Sequence, residues 1–444
     1  MKNRKLKTFI GSLMMSIMLF NCAQPYYALA VGDQEGGATV VVSEDEAAED
    51  TVSEGKAVSD EDKGDKEDSV SEGAVSEDAV SEDSVSNDTV EGNDHEDFAH
   101  GDEDDEKRDN DEQEEDVISG DAVVWQNPKA DWYLDYKYEL DDEENKIILE
   151  EANSTVSGNI VIPATATVDG VVYNVCIGST AYSIWKKAAE SITGIKIRGG
   201  VSFESNSLGG LFSMTNSALT TIDLTEIDTS GITSMRSMFS GCENVQNLDI
   251  GHFDTSSVTN MDQMFLNCKS LTDLDVSNFN TSNVTSMEGM FGGCESLTSL
   301  DVSNFDTSNV KFMSTMFSGL KSVSRLDLRK FNTSNVISML GMFSGSDNLV
   351  SIDLRNFDTS NVIWISDMFS GCESLTSLDL SSFKTPNVED MNSMFADCKS
   401  LTKLDLGKFN TAKVTDMSNM FSGCENIDTL NLGNFDTSKV TDMS

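Results

Sequence analysis

Six cysteines of this 444-residue chain share one spacing: Cys242, Cys268, Cys294, Cys372, Cys398 and Cys424 recur at one strict period or at multiples of it. Thiols in register could bind metal, pair as disulfides or supply nucleophiles. Zinc sites want paired CxxC spacing, and the sequence has none. Leu320 and Ser346 occupy the same position in two copies, where no shared thiol chemistry could use them. A uniform inward column suits packing, because buried free cysteine behaves as a small hydrophobe. The even cysteine count of an exported chain keeps the disulfide alternative open.

Carboxylates form a second series. Asp223, Asp249, Asp275, Asp301, Asp327, Asp353, Asp379 and Asp405 recur at the same period, with Asn431 in the ninth copy. Stacked at strand spacing they should repel. Hydrogen bonds from a neighbouring Ser, Thr or backbone amide would relieve this. A calcium column through Asp275, Asp301, Asp327, Asp353 and Asp379 is the alternative, although no glycine-rich ligand loop accompanies it. Otherwise no cofactor is implied. The three histidines are His95, His100 and His252, and no nucleophile elbow, phosphate loop or metal motif is present. A glycosidase wants one distinct carboxyl pair, whereas these recur as columns. A secreted carbohydrate-active enzyme is therefore a remote alternative, and the expectation is a non-enzyme.

The elements that position these residues repeat with the same period. Phenylalanines fall at Phe239, Phe265, Phe291, Phe317, Phe343, Phe369, Phe395 and Phe421 without insertion or deletion. Such a period means a solenoid, each repeat one rung stacked on the next. In one rung Leu375, Leu378 and Leu380 give L-x-x-L-x-L, ending in a strand-like in-out-in alternation. Phe383 and the polar turn KTPN follow. Val388, Met391, Met394, Phe395, Cys398 and Leu401 are then spaced by three and four, which predicts a short helical turn with one buried face. Asn387, like Asn283, Asn309, Asn335 and Asn361, stands where a helix N-cap is wanted. A column alternating in sign, Glu243, Lys269, Glu295, Lys321, Asp347, Glu373, Lys399 and Glu425, predicts cross-rung ion pairs that help to fix register.

Upstream the composition changes. Residues 1–30 read as a secretory signal peptide: Lys2, Arg4, Lys5 and Lys7, an apolar run from Phe9 to Phe20, then Ala28-Leu29-Ala30. Cys22 raises a lipoprotein alternative, weakened by Asn21 where a lipobox wants a small residue. Residues 31–120 carry 35 acidic and 5 basic side chains, a large share of the net charge of −47. So charged a segment cannot offset the entropy of folding, and a disordered acidic stalk is expected. Residues 121–218 are expected to form a β-rich N-terminal cap with entry rungs, and 219–444 the solenoid. The chain ends at TSKVTDMS, where earlier copies run on into x-M-F, so truncation at the C-terminus is expected.

The unit LTSLDLSSFKTPNVEDMNSMFADCKS resembles the 26-residue leucine-rich repeat of BspA-like bacterial surface proteins, and GNIVIPATATVDGVVYNVCIG (158–178) resembles the lead-in segment that precedes such repeats. The resemblance implies an α/β leucine-rich-repeat-like solenoid, a right-handed horseshoe of parallel strands and short helical turns. It also implies an extracellular or cell-surface location and adhesion to host or bacterial proteins, host matrix proteins among them. It carries no catalytic residues. A passive spacer or surface-layer component is the rival reading. The acidic balance argues against nucleic acid, and no membrane or wall anchor is visible.

A binder should break its own consensus somewhere. The break lies between Val310 and Ile365, where polar positions become Phe312, Ile337, Leu340, Ile363 and Trp364. Lys311, Lys321, Arg325, Arg329, Lys330 and Arg355 make the same stretch locally positive. Phe312, Arg329, Lys330, Ile337, Arg355, Ile363 and Trp364 are accordingly the candidate ligand-binding residues, since exposed aromatics beside arginine dominate interface hot spots.

Overall fold

The structure, a computed structural model, describes residues 128–178, 183–214 and 218–444, with Val123, Trp125 and two short N-terminal strands. Those strands, β1 (Leu29–Gly32) and β2 (Ala38–Val41), pair antiparallel within the unit Met1–Glu114. Otherwise the expected signal peptide and acidic stalk lie outside the described residues.

In the second unit, alternating apolar residues build a mixed sheet before any repeat begins. Its strands are β3 (Tyr136–Asp141), β4 (Lys146–Ala152), β6 (Thr165–Val168) and β7 (Val171–Ile177), in the order β3-β4-β7-β6, with β9 (Ser202–Phe203) also on β7. Ile147, Leu149, Val175 and Ile177 turn one face of this sheet into the core. The intervening β5 (Gly158–Ile162) instead pairs in parallel with β8 (Ile192–Ile197), which pairs in parallel with β10 (Thr221–Asp223). The stack of rungs thus starts inside the cap. Aromatic edges seal that end, with Trp132, Tyr136 and Trp185 in T-shaped contact.

From Ser207 onward the rungs stack as parallel bridges through Ser234, Asn260, Ser286, Phe312, Ser338, Trp364, Asp390, Asp416 and Asp442. The short strands β11 (Arg325–Leu326) with β12 (Ser351–Ile352), and β13 (Lys403–Asp405) with β14 (Thr429–Asn431), add parallel pairs on the L-x-L segment. The in-out-in alternation holds there: Leu378 and Leu380 are buried and Asp379 is exposed. Inside, the phenylalanines from Phe212 to Phe421 stack face to face at 5.6–6.0 Å between centroids. Offset stacking at this distance is a favourable aromatic geometry.

The expected helical turns are not helices. Among the described residues the only helical segments are two 3-10 turns in the cap, Trp132–Asp135 and Lys186–Ala188. On the Met-Phe arm the backbone follows another rule. The N–H groups of Met238, Ser240 and Cys242 donate three residues back, to Met235, Ser237 and Phe239. Those of Met235, Ser237, Phe239 and Gly241 donate instead to carbonyls of the next rung, at 2.7–3.0 Å. Each copy repeats this with two left-handed residues four apart, Ser237 and Gly241 in the first and Asn419 and Gly423 in the last. The second position is glycine in six rungs and Asn267 or Asp397 in the other two, the residue types that tolerate positive φ. A three-residue turn step and a helix both place apolar residues three and four apart, which is why the spacing alone suggested a helix.

The asparagines are not N-caps either. The side-chain amides of Asn283, Asn309, Asn335, Asn361 and Asn387 donate to carbonyls of Ser256, Ser282, Ser308, Ser334 and Ser360 in the preceding rung, at 2.7–3.0 Å. A buried threonine column binds in the other direction. Thr333 Oγ1 donates to the Asp358 carbonyl at 3.0 Å and accepts the Asp358 N–H at 2.8 Å, and Thr307 and Thr359 do likewise with Asn332 and Lys384.

Candidate functional site

The thiol series lies in the core. Cys242, Cys268, Cys294, Cys372 and Cys398 are unpaired and fully buried, and Cys424 in the last rungs is half-buried. Each Sγ donates to the carbonyl of a phenylalanine in the preceding rung, as Cys294 does to Phe265 at 3.1 Å. Burial pushes the Cys294 and Cys372 thiols up to about 12, so little nucleophilic thiolate forms. Ser346 makes the same bond to Phe317 at 2.7 Å and also accepts the Leu320 N–H at 3.2 Å. The column is packing with a hydrogen bond added.

The aspartate series is satisfied locally. Asp275, Asp301 and Asp379 each accept the N–H two residues ahead, from Ser277, Ser303 and Ser381, at 2.9–3.0 Å. Hydrogen bonds from these serines hold the three carboxyls below the usual range. Asp327 and Asp353 differ. Their two oxygens take the forked guanidinium of Arg329 and Arg355, at 2.6 and 2.9 Å in both cases. Hydrogen bonds from those arginines lower both carboxyls to about 2. The charge-alternating column forms its ion pairs, Lys269–Glu243 at 2.9 Å, Lys321–Glu295 at 3.0 Å and Lys399–Glu373 at 2.6 Å.

The seven candidate binding residues separate into two groups. Phe312 and Trp364 both belong to the bridge column, with Ser338 between them. Ile337 and Ile363 lie on the adjacent column, where the Ile337 N–H donates to the Lys311 carbonyl and the Ile363 N–H to the Ile337 carbonyl. These four form one stripe along consecutive rungs. Ser286 and Ser338 are buried at the Trp364 position of their own rungs, but the indole is too large to be covered and is 38% exposed, with Ile363 at 36%. Arg329, Lys330 and Arg355 follow the L-x-L segment instead, and both guanidinium groups are bound by Asp327 and Asp353.

Beyond Trp364 and Ile363 the stripe's neighbours are acidic. The bridge column continues from Trp364 to Asp390, Asp416 and Asp442, and Glu389 is exposed beside Asp390. Of the cations read from the linear sequence, Lys311 is exposed in the stripe's own adjacent column, before Ile337, whereas Lys321, Arg329 and Arg355 are paired elsewhere in the rung. This flank is visible only once the repeat offset is read across rungs, from Trp364 to Asp390.

Segments 206–326, 294–404 and 371–444 match the family described as Mycoplasma protein of unknown function, DUF285. Together they span more than half of the sequence. The chain belongs to this family. The DUF285 match covers every rung that carries the stripe. A search of curated proteins gives no match. Among solved structures, the chain is similar to a leucine-rich cell surface protein from Faecalibacterium prausnitzii, at 18% identity and a TM-score of 0.31, covering 67% of this chain and 93% of that one. It is also similar to a leucine-rich repeat protein of T. pallidum, at 18% identity and a TM-score of 0.27, covering 55% and 89%. The fold assignment of DUF285 here rests on the hydrogen-bonded rungs themselves.

Proposed function

We propose that this chain is an exported bacterial surface protein whose rungs present the stripe Phe312–Ile337–Ile363–Trp364 to a protein partner, in adhesion to host or neighbouring cells. The observation that carries this reading is Trp364, a large exposed aromatic at a position where the preceding rung buries Ser338. An exposed aromatic set among apolar neighbours, here the exposed Ile363 and the half-buried Phe312 and Ile337, is the residue type that anchors interfaces. A non-catalytic role is supported by what engages the reactive groups: the thiols are buried, and the carboxylate column is occupied by its own amides and arginines. Arg329, Lys330 and Arg355, on the L-x-L segment, stand outside this surface.

The uniformity of the Asn and Thr ladders favours a second reading, a passive spacer that holds other surface structures at a distance. Surface-protein extracts of host and bacterial cells, passed over the immobilised full chain and a Trp364→Ser variant, separate the two. Capture of a defined protein by the parent, weakened at least tenfold in the variant, is expected. No capture by either protein supports the spacer, and equal capture by both overturns the stripe as the binding surface.

A further inference from the structure

The order of residues along the bridge column is asymmetric. Two aromatics, Phe312 and Trp364, are followed by three carboxylates, Asp390, Asp416 and Asp442. Parallel bridges set neighbouring rungs about 4.8 Å apart, so Phe312 to Trp364 and Trp364 to Asp416 are each about 10 Å. That is about three residues of an extended chain at about 3.3 Å per residue.

The carboxylates beside Trp364 have fixed hydrogen bonds and carboxylate neighbours. Asp390 accepts the Asn392 N–H at 2.8 Å and its side-chain amide at 3.1 Å. Asp416 accepts the Ser418 N–H and hydroxyl at 2.8 and 2.6 Å. Burial and the Asp416 charge press on Asp390, and burial and the Asp390 charge press on Asp367. The nearby cations are directed elsewhere: Lys413 reaches Asn387 at 2.8 Å, and Lys384 approaches Asp358 at 3.7 Å. A positive group arriving from a partner would relieve this repulsion. It would also find the indole face of Trp364 next to the carboxylates, the pairing that favours a Lys or Arg head carried on an apolar stem.

We propose that the stripe and its acidic continuation dock an extended peptide segment that is both basic and apolar, laid along the stacking axis with apolar residues on Phe312 and Trp364 and lysine or arginine toward Asp390 and Asp416. This deepens the binding function given above and rests on it. Charge complementarity selects this occupant. A stable homodimer needs roughly 800 Å² per partner, whereas a short peptide needs only the stripe.

The test uses the full chain and two probes, a short peptide alternating lysine and phenylalanine and its glutamate–phenylalanine counterpart. The part of the tryptophan emission change that is lost in Trp364→Phe reports the site, and that variant subtracts any response of Trp125, Trp132 and Trp185 to probe bound at the acidic residues 31–120. The lysine probe is expected to shift the emission saturably to the blue, and the shift is expected to vanish in Trp364→Phe. The pair Asp390→Asn and Asp416→Asn should weaken the apparent affinity at least tenfold, while Arg329→Ser with Arg355→Ser leaves it unchanged. An equal response to the glutamate probe, or unchanged affinity in the Asp390/Asp416 variant, overturns the basic partner but leaves the stripe a docking site. No response to either probe overturns both. Concentration-dependent self-association that disappears in Trp364→Ser would assign the stripe to a second copy and overturn the peptide.

Discussion

The hydroxyl of Ser346 donates to the carbonyl oxygen of Phe317 at 2.7 Å, the bond that cysteine sulfurs make in neighbouring rungs. It also accepts the Leu320 N–H, so one buried oxygen links two rungs at a position where a thiol is the usual occupant. Ser346→Cys should be nearly neutral. Ser346→Ala removes the donor from one buried carbonyl and the acceptor from one buried amide, and should cost about 1–3 kcal/mol in chemical denaturation. Equal stability of the two variants would show that the hydroxyl contributes nothing beyond volume.

The threonine column makes a second prediction about buried hydroxyls. Thr333 is fully buried, and both its acceptor and its donor capacity are used by Asp358. Thr333→Val keeps the shape and loses both bonds, so a loss of about 1–3 kcal/mol is expected. Thr333→Ser keeps the bonds and loses one methyl, about 1 kcal/mol. Denaturant melts that rank serine below valine would refute the ladder's contribution.

Thiol reactivity should follow depth. Burial raises all six repeat thiols, but Cys424 alone in the column is half-buried. Timed alkylation with mass-spectrometric mapping is expected to label Cys424 first and to reach Cys242, Cys268, Cys294, Cys372 and Cys398 only under denaturant. Rapid labelling of Cys294 in the native protein would contradict the packed column.

Glu288 supplies a pH dependence. Burial, and next the Asp262 carboxylate, push it up to about 7, against the Ser314 hydroxyl and the Arg236 charge. A raised carboxyl pKa means that the folded state holds the proton longer than the unfolded chain. No penalty exists below the ordinary value of 4.5; it grows as pH rises toward about 7 and is constant above that. Glu288→Gln should therefore be more stable than the parent near about pH 8, by on the order of 1 kcal/mol, with the gap closing toward about pH 4.5. Thermal melts across this range that show a constant gap would contradict the assignment.

The columns were legible in the sequence because a strict period converts linear position into spatial stacking: Phe317 lies on Phe343, and Lys321 reaches Glu295. The path of the chain between columns was not. Val388, Met391, Met394 and Cys398 are all buried as the spacing requires, yet the N–H groups of Ser393 and Phe395 bond the next rung rather than the preceding turn. The residue before each cysteine of the column, most often glycine, carried the missing signal. Gly241, Gly293 and Gly371 all sit at positive φ, and Asn267 and Asp397 take the same conformation in their rungs. Asparagine and aspartate are the usual substitutes for glycine there. The site was legible in part. Trp364 and Ile363 are exposed as their departure from consensus suggested, but Arg355 is tied to Asp353, a partner only two residues away.

Every second N–H of the Met-Phe arm and the hydroxyls of the threonine column cross to the next rung, and the amides of the asparagine column cross to the preceding one. Under mechanical load this arrangement matters more than total stability. Tension on the two ends of the chain acts on the outermost rung alone, because each rung is tied only to the ones beside it. Once that rung peels away, the next meets the same force with the same set of bonds. Each event releases one full repeat, at most roughly 90 Å of extended chain. A solenoid built this way lengthens in equal steps under load, dissipating work at each one, while the rungs still stacked keep their shape.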